Sequence, residues 1–168
     1  MPIPILTRTV RLAVIAVTLL ALGAPVAAKD SLGVFGQWGA FRDPSVPRCY
    51  AIAAPQDARA GPAYASVGTW PQRGVRGQLH VRLSRGMATG SAVSLSLGGQ
   101  RFALTGAGGD AWARDRRMDA AIVAAMRSAG AMSISAQDSS GRRFTDRYSL
   151  AGAATAMDAA TVGCARVR

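Results

Sequence analysis

Apolar and polar residues alternate along most of the chain beyond residue 30, and a period of two marks strands with one buried and one solvated face. The clearest instance is Gln78-Leu79-His80-Val81-Arg82-Leu83-Ser84. Leu79, Val81 and Leu83 share one face, and Gln78, His80, Arg82 and Ser84 the other. Ala92–Leu97 alternates in the same way, meets Gly98-Gly99 and resumes as Gln100–Thr105, which predicts a hairpin closed by a two-residue turn. With Leu97 opposite Gln100, Leu95 faces Phe102, Val93 faces Leu104 and Ser96 faces Arg101, so one face collects the apolar side chains. A second hairpin is predicted from Ala131–Ala136 and Phe144–Leu150 around the turn-rich Asp138-Ser139-Ser140-Gly141. Earlier strands are predicted over Gly36–Phe41, Arg48–Ala53 and Ala63–Trp70, punctuated by Pro44, Pro47, Pro55 and Pro62.

Two later segments depart from period two. Met118, Ile122 and Met126 recur at helical spacing with Ala121 and Ala125 beside them, after Asp115 as N-cap and before Gly130 as terminator. A shorter helix is predicted from about Ala153 to Val162, and its end would carry Cys164 back toward the first strands. Many short strands with two helices imply a mainly β fold, an antiparallel β-sandwich or open barrel with one or two short α-helices at its ends or edge. The 168 residues are 49% hydrophobic and 17% charged, which suits one core, and no repeat, linker or low-complexity tract divides residues 29–168.

Residues 1–28 carry a different signal. Arg8 and Arg11 precede the apolar run Leu12–Leu22, followed by Gly23, Pro25 and Val26-Ala27-Ala28, the plan of a secretory signal peptide cleaved after Ala28. The run falls short of the roughly 20 residues that span a bilayer, and no cysteine follows the cleavage site to take a lipid. The expected product is an exported domain over residues 29–168 with no transmembrane segment. Export makes Cys49 and Cys164 a disulfide candidate, two free thiols being the alternative. A bridge would close a loop long enough to contribute roughly 4–5 kcal/mol.

Composition then removes chemistries. All nine acids are Asp, and with no Glu, one His and two Cys, most zinc sites, Glu-based glycosidase pairs and thiol redox motifs have nothing to be built from. His80 is expected on a solvated sheet face, because no Gly-x-Ser-x-Gly elbow supplies a nucleophile for it. Gly106-Ala107-Gly108-Gly109-Asp110 lacks the third glycine or Lys-Ser/Thr of a phosphate loop and reads as a turn. Asp110, Asp115 and Asp119 match no calcium loop; capping by Asp115 and solvated ion pairs for the others are expected. Asp146 shares parity with Phe144 and Tyr148, so either that face is open at this point or a buried Asp is held there by an Arg or backbone N–H groups; a structural anchor is expected ahead of a ligand contact. No catalytic residue, cofactor or metal ligand emerges, and a non-enzymatic protein is expected.

Removing Arg8 and Arg11 lowers the net charge from +11 to +9, and Arg outnumbers Lys 19 to 1. Dispersed arginines without an aromatic platform, in an exported chain, argue against nucleic acid. Biased residue usage accounts for the Arg, Ala and Gly content, and an anionic surface such as lipopolysaccharide, acidic phospholipid or host glycan is the more compatible target. Arg73, Arg76, Arg82 and Arg85 are the least dispersed group and form the candidate patch for an anionic partner.

The order of segments resembles the invasion-associated locus B family. The likeness rests on Trp38 before Cys49-Tyr50-Ala51-Ile52, the Leu95–Leu104 hairpin, Ala111-Trp112, Asp119–Met126, Asp146-Arg147-Tyr148-Ser149-Leu150-Ala151-Gly152 and the terminal Cys164. The resemblance implies a β-rich alphaproteobacterial envelope protein, periplasmic, secreted or outer-membrane associated, with members in pathogens that promote entry into host cells. The family pattern holds no catalytic residues to carry over. Two functions are therefore expected in order: binding of an envelope or host-surface partner through one sheet face, and, as the alternative, a periplasmic chaperone-like or stress-related factor offering a strand edge.

Overall fold

The computed structural model describes residues 29–57 and 62–165, so the predicted signal peptide at 1–28 lies outside the described residues. Ten antiparallel strands run through the chain: β1 (Asp30–Phe35), β2 (Trp38–Asp43), β3 (Arg48–Ala53), β4 (Tyr64–Trp70), β5 (Val75–Arg82), β6 (Val93–Leu97), β7 (Gln100–Ala107), β8 (Asp110–Trp112), β9 (Ala131–Gln137) and β10 (Arg143–Ser149). Helix α1 (Arg116–Met126) precedes β9, and α2 (Ala153–Ala165) ends the described chain. The strands form one sheet in the order β1-β2-β3-β4-β5-β8-β7-β6-β9-β10, so the expected mainly β architecture takes its open, single-sheet form.

Both predicted hairpins form, and the first takes the register predicted for it. Leu97 pairs with Gln100, Leu95 with Phe102 and Val93 with Leu104. Gly98 and Gly99 both take positive φ, +56° and +78°, the backbone of a tight turn that matches strand twist. In the second hairpin Ala136 pairs with Phe144, Ile134 with Asp146 and Met132 with Tyr148. β6 then pairs with β9, Leu95 against Ile134, which sets the two hairpins side by side.

The sheet curls so that its first strands approach β10. Trp38 at the start of β2 donates its indole N–H to the Ser149 carbonyl of β10 at 2.9 Å, and Gln56 N–H reaches the Arg147 carbonyl at 2.7 Å. Trp38, Leu79, Leu95, Ile122, Ile134 and Tyr148 thereby share one core. Closure depends on a tight crossing between the β1–β2 turn and the β10–α2 junction. A Cβ on Gly152 (φ +86°) would lie 1.8 Å from the Phe35 carbonyl oxygen, so only glycine fits there.

Helix α2 lies over β1 to β4 on an alanine-on-alanine surface. Ala153, Ala156 and Ala160 of the helix and Ala40, Ala51, Ala53 and Ala65 of the strands are all buried. Small side chains here let the helix sit close to the sheet. Asp115 caps α1 as expected, accepting from Met118 N–H at 2.8 Å. Gly130 does not terminate the helix, which closes with Arg127 N–H bonded to the Ala124 and Ala125 carbonyls. The Gly130 carbonyl instead accepts from Leu150 N–H.

Two strands escape the sequence pattern. β1 carries a bulge between Ser31 and Gly33, so its burial never alternates cleanly, and the Gly36-Gln37 segment predicted as strand is its turn into β2. β8 has only three residues, joined to β7 at Gly108-Gly109, where the glycine-rich turn was expected.

Candidate binding surface

Because the inner positions of the sheet form the core, chemistry-bearing side chains project from its outer face or from loops. On β4, β5 and β8, register sets His80 opposite Ser66 on one side and Trp112 on the other. The imidazole stacks on Trp112 with ring centroids 5.3 Å apart and meets the edge of Tyr64 at 5.4 Å. Its Nε2 lies 2.9 Å from Asp110 Oδ1, and the Tyr64 hydroxyl is 3.5 Å from Nδ1. The Arg82 guanidinium donates to the second Asp110 oxygen. His80 thus sits on the outer face as expected, but its side chain is only 24% exposed and is held by partners rather than by solvent. Among the described residues the ring's hydrogen-bond partners are Tyr64 and Asp110, and neither contact prepares a serine or thiol for attack.

The four arginines expected as a patch fall into two pairs. Arg73 ends a single 3₁₀ turn, Pro71–Arg73, after β4, and Arg76, the second residue of β5, lines a groove of about 310 Å³ with Arg127, Met157 and Thr161. Arg82 closes β5, roughly 20 Å of strand further on, and Arg85 follows in the next loop. Arg82 is paired with Asp110 and Arg85 with Asp138 at 3.3 Å. Both guanidiniums at that end therefore already have carboxylate partners.

The acids are committed to structure. Asp146 is buried on β10 and accepts Ser84 N–H at 2.9 Å, the backbone anchor that its parity predicted. Asp119 is not the solvated ion pair expected of it: it is buried on α1 and accepts Leu79 N–H at 2.8 Å. Burial pushes its carboxyl above the ordinary carboxylate value. Asp138 sits in the β9–β10 turn, where the Ser140 hydroxyl and the backbone N–H groups of Ser140 and Arg142 hold its carboxyl down at about 2. Asp43, buried at the end of β2, is likewise lowered, first by the Ser45 hydroxyl.

On a different stretch of the outer face the strand rows hold no acid. Across β7, β6, β9 and β10, Arg101, Ser96, Ser133 and Arg147 fall in one cross-strand row. The next row holds Ala103, Ser94, Ser135 and Thr145, with Ser135 and Thr145 hydroxyls 2.9 Å apart. Gln137 and Arg143 follow. Two shallow depressions lie along these rows, one including Ser94, Ser96, Arg101, Ser135 and Arg143, the other Gln56, Ser96, Ser133 and Arg147. Sequence reasoning missed this surface. Alternate serines in two predicted hairpins were its signal, but only the β6–β9 pairing places the hairpins in one plane.

The cysteines form a disulfide, Cys49–Cys164, with Cα atoms 5.6 Å apart, joining the end of α2 to β3 across 115 positions of chain. No helix of the described residues is long and apolar enough to cross a membrane. Among known proteins, the family described as Invasion associated locus B (IalB) protein matches residues 40–161 of this chain. No curated protein and no solved structure matches it.

Proposed function

Because the chain belongs to the invasion associated locus B family, we propose that it is an exported, non-enzymatic envelope protein that binds an envelope or host-surface component through its outer sheet face. The observation that carries this reading is the asymmetry of charge use. Eight of the nine Asp are bonded to an arginine, His80, a hydroxyl or a backbone N–H among the described residues. Arg73, Arg76, Arg101, Arg116, Arg117, Arg143 and Arg147 have no carboxylate within ion-pair distance among the described residues. Such a surface attracts polyanions over several ångströms and loses that attraction as salt is raised. The disulfide is compatible with an oxidising compartment, and in the members found in pathogens this role would extend to host-cell entry.

The test is binding of the purified mature protein to envelope fractions and to host-cell membranes across a salt series. Saturable binding that weakens steadily with salt is expected; absence of binding to both at low salt would overturn the proposal. The alternative, a chaperone that accepts a client strand, finds less support in the sheet edges. β10 is occupied by Gln56 and Trp38, and β1 is interrupted by its bulge. Suppression of a client's aggregation without envelope binding would favour it.

A further inference from the structure

Resting on that reading, we infer that the ligand is an extended acidic polysaccharide, and that it lies on the serine and arginine rows of β7, β6, β9 and β10 rather than on the arginines around β5. Arg101 and Arg147 stand at the two ends of one row, three strand spacings or about 14 Å apart. Ser96 and Ser133 lie between them. Both guanidiniums are exposed and have no carboxylate partner among the described residues.

Charge complementarity selects the anion. A planar guanidinium takes a carboxylate or sulfate in a two-pronged contact, and two of them at the ends of a row fix two acidic groups on one chain. The hydroxyls between them select the rest of the ligand. Ser96, Ser133, Ser135 and Thr145 both donate and accept, which suits sugar hydroxyls. The Ser94 hydroxyl is shielded and has no partner among the described residues. A bilayer surface would favour cations interleaved with exposed apolar side chains. The large exposed hydrophobic residues among the described residues, Val34, Val46 and Val162, all lie elsewhere.

The experiment is titration of the disulfide-bonded mature protein with alginate fragments, with neutral dextran fragments of equal length and with phosphatidylglycerol vesicles as comparisons. Alginate is expected to bind and dextran not to. The R101Q/R147Q variant should lose affinity for alginate at least tenfold. R116Q/R117Q, which removes the same charge from α1, should change it less than threefold. R101K/R147K, which keeps the charge but not the fork, should fall between the parent and R101Q/R147Q. Equal loss in R101Q/R147Q and R116Q/R117Q would overturn the inference in favour of diffuse charge. So would vesicle binding without alginate binding. Should R101Q/R147Q still bind envelope fractions like the parent, this site is wrong while the proposed function stands. Failure of the parent to bind any envelope or host preparation removes the proposed function itself.

Discussion

Asp138 and Asp119 are both nearly buried carboxylates whose surroundings push them in opposite directions. Asp138 is surrounded by donors, so its charged form is favoured and its folded pKa of about 2 lies below the ordinary 3.8. A carboxylate depressed in the folded state stabilises the fold above its unfolded pKa and loses that contribution as pH falls through the folded one. D138A should therefore melt below the parent at neutral pH, with a gap that narrows between 3.8 and about 2 in thermal scans. Asp119 has one strong donor, Leu79 N–H, and its pKa is raised by burial. Its charged form is the disfavoured one, so the fold gains as the group takes up its proton. D119N keeps an oxygen for Leu79 and should melt no lower than the parent at neutral pH. D119L strands the buried N–H and should cost about 1–3 kcal/mol in urea unfolding.

Among the elements, the alanine contact between α2 and the first strands leaves no room for growth. A156L should cost about 1–3 kcal/mol by overpacking, measured by denaturant midpoint at unchanged slope. Gly152 is less forgiving still: G152A drives a Cβ into the Phe35 carbonyl and should block the closure of the sheet, read as loss of soluble, protected protein in hydrogen exchange. The Tyr148-Ser149-Leu150-Ala151-Gly152 run thereby acquires a physical reason. Its tyrosine and leucine enter the core, and its glycine permits a backbone crossing. What the pattern disclosed at this scale were the elements with strict alternation. β6 and β7 came with their register because Val93, Leu95, Leu97, Phe102 and Leu104 fall on one face and Gly98-Gly99 dictates the turn. β1 was hidden by its bulge, β8 by its brevity, and the end of α1 by a terminal turn that needs no glycine.

At the level of the whole molecule, the disulfide and the sheet order decide the shape together. Reduction, or C49S/C164S, should lower stability by roughly 4–5 kcal/mol, since a loop of this order is released in the unfolded chain. Comparison of urea unfolding with and without reductant measures it. The binding surface was less legible than the fold for a related reason. A strand's sequence tells which residues face outward, but not which strand will lie beside it. Arg73, Arg76, Arg82 and Arg85 are near one another in sequence, whereas Arg101 and Arg147 become members of one row only through β6 and β9. Asp110 and Asp138 likewise could be seen to exist, but not to be engaged with Arg82 and Arg85.

The bond between Cys49 and Cys164 also changes what a protease can do to this protein. A single cut in any loop between them opens the backbone and releases nothing, because both fragments stay tethered through sulfur. The nicked molecule would keep its curled sheet and its outer face, and would separate into two pieces only after a reductant is supplied. In surroundings rich in proteases and poor in thiols, the bond extends the working life of damaged copies as well as stabilising intact ones.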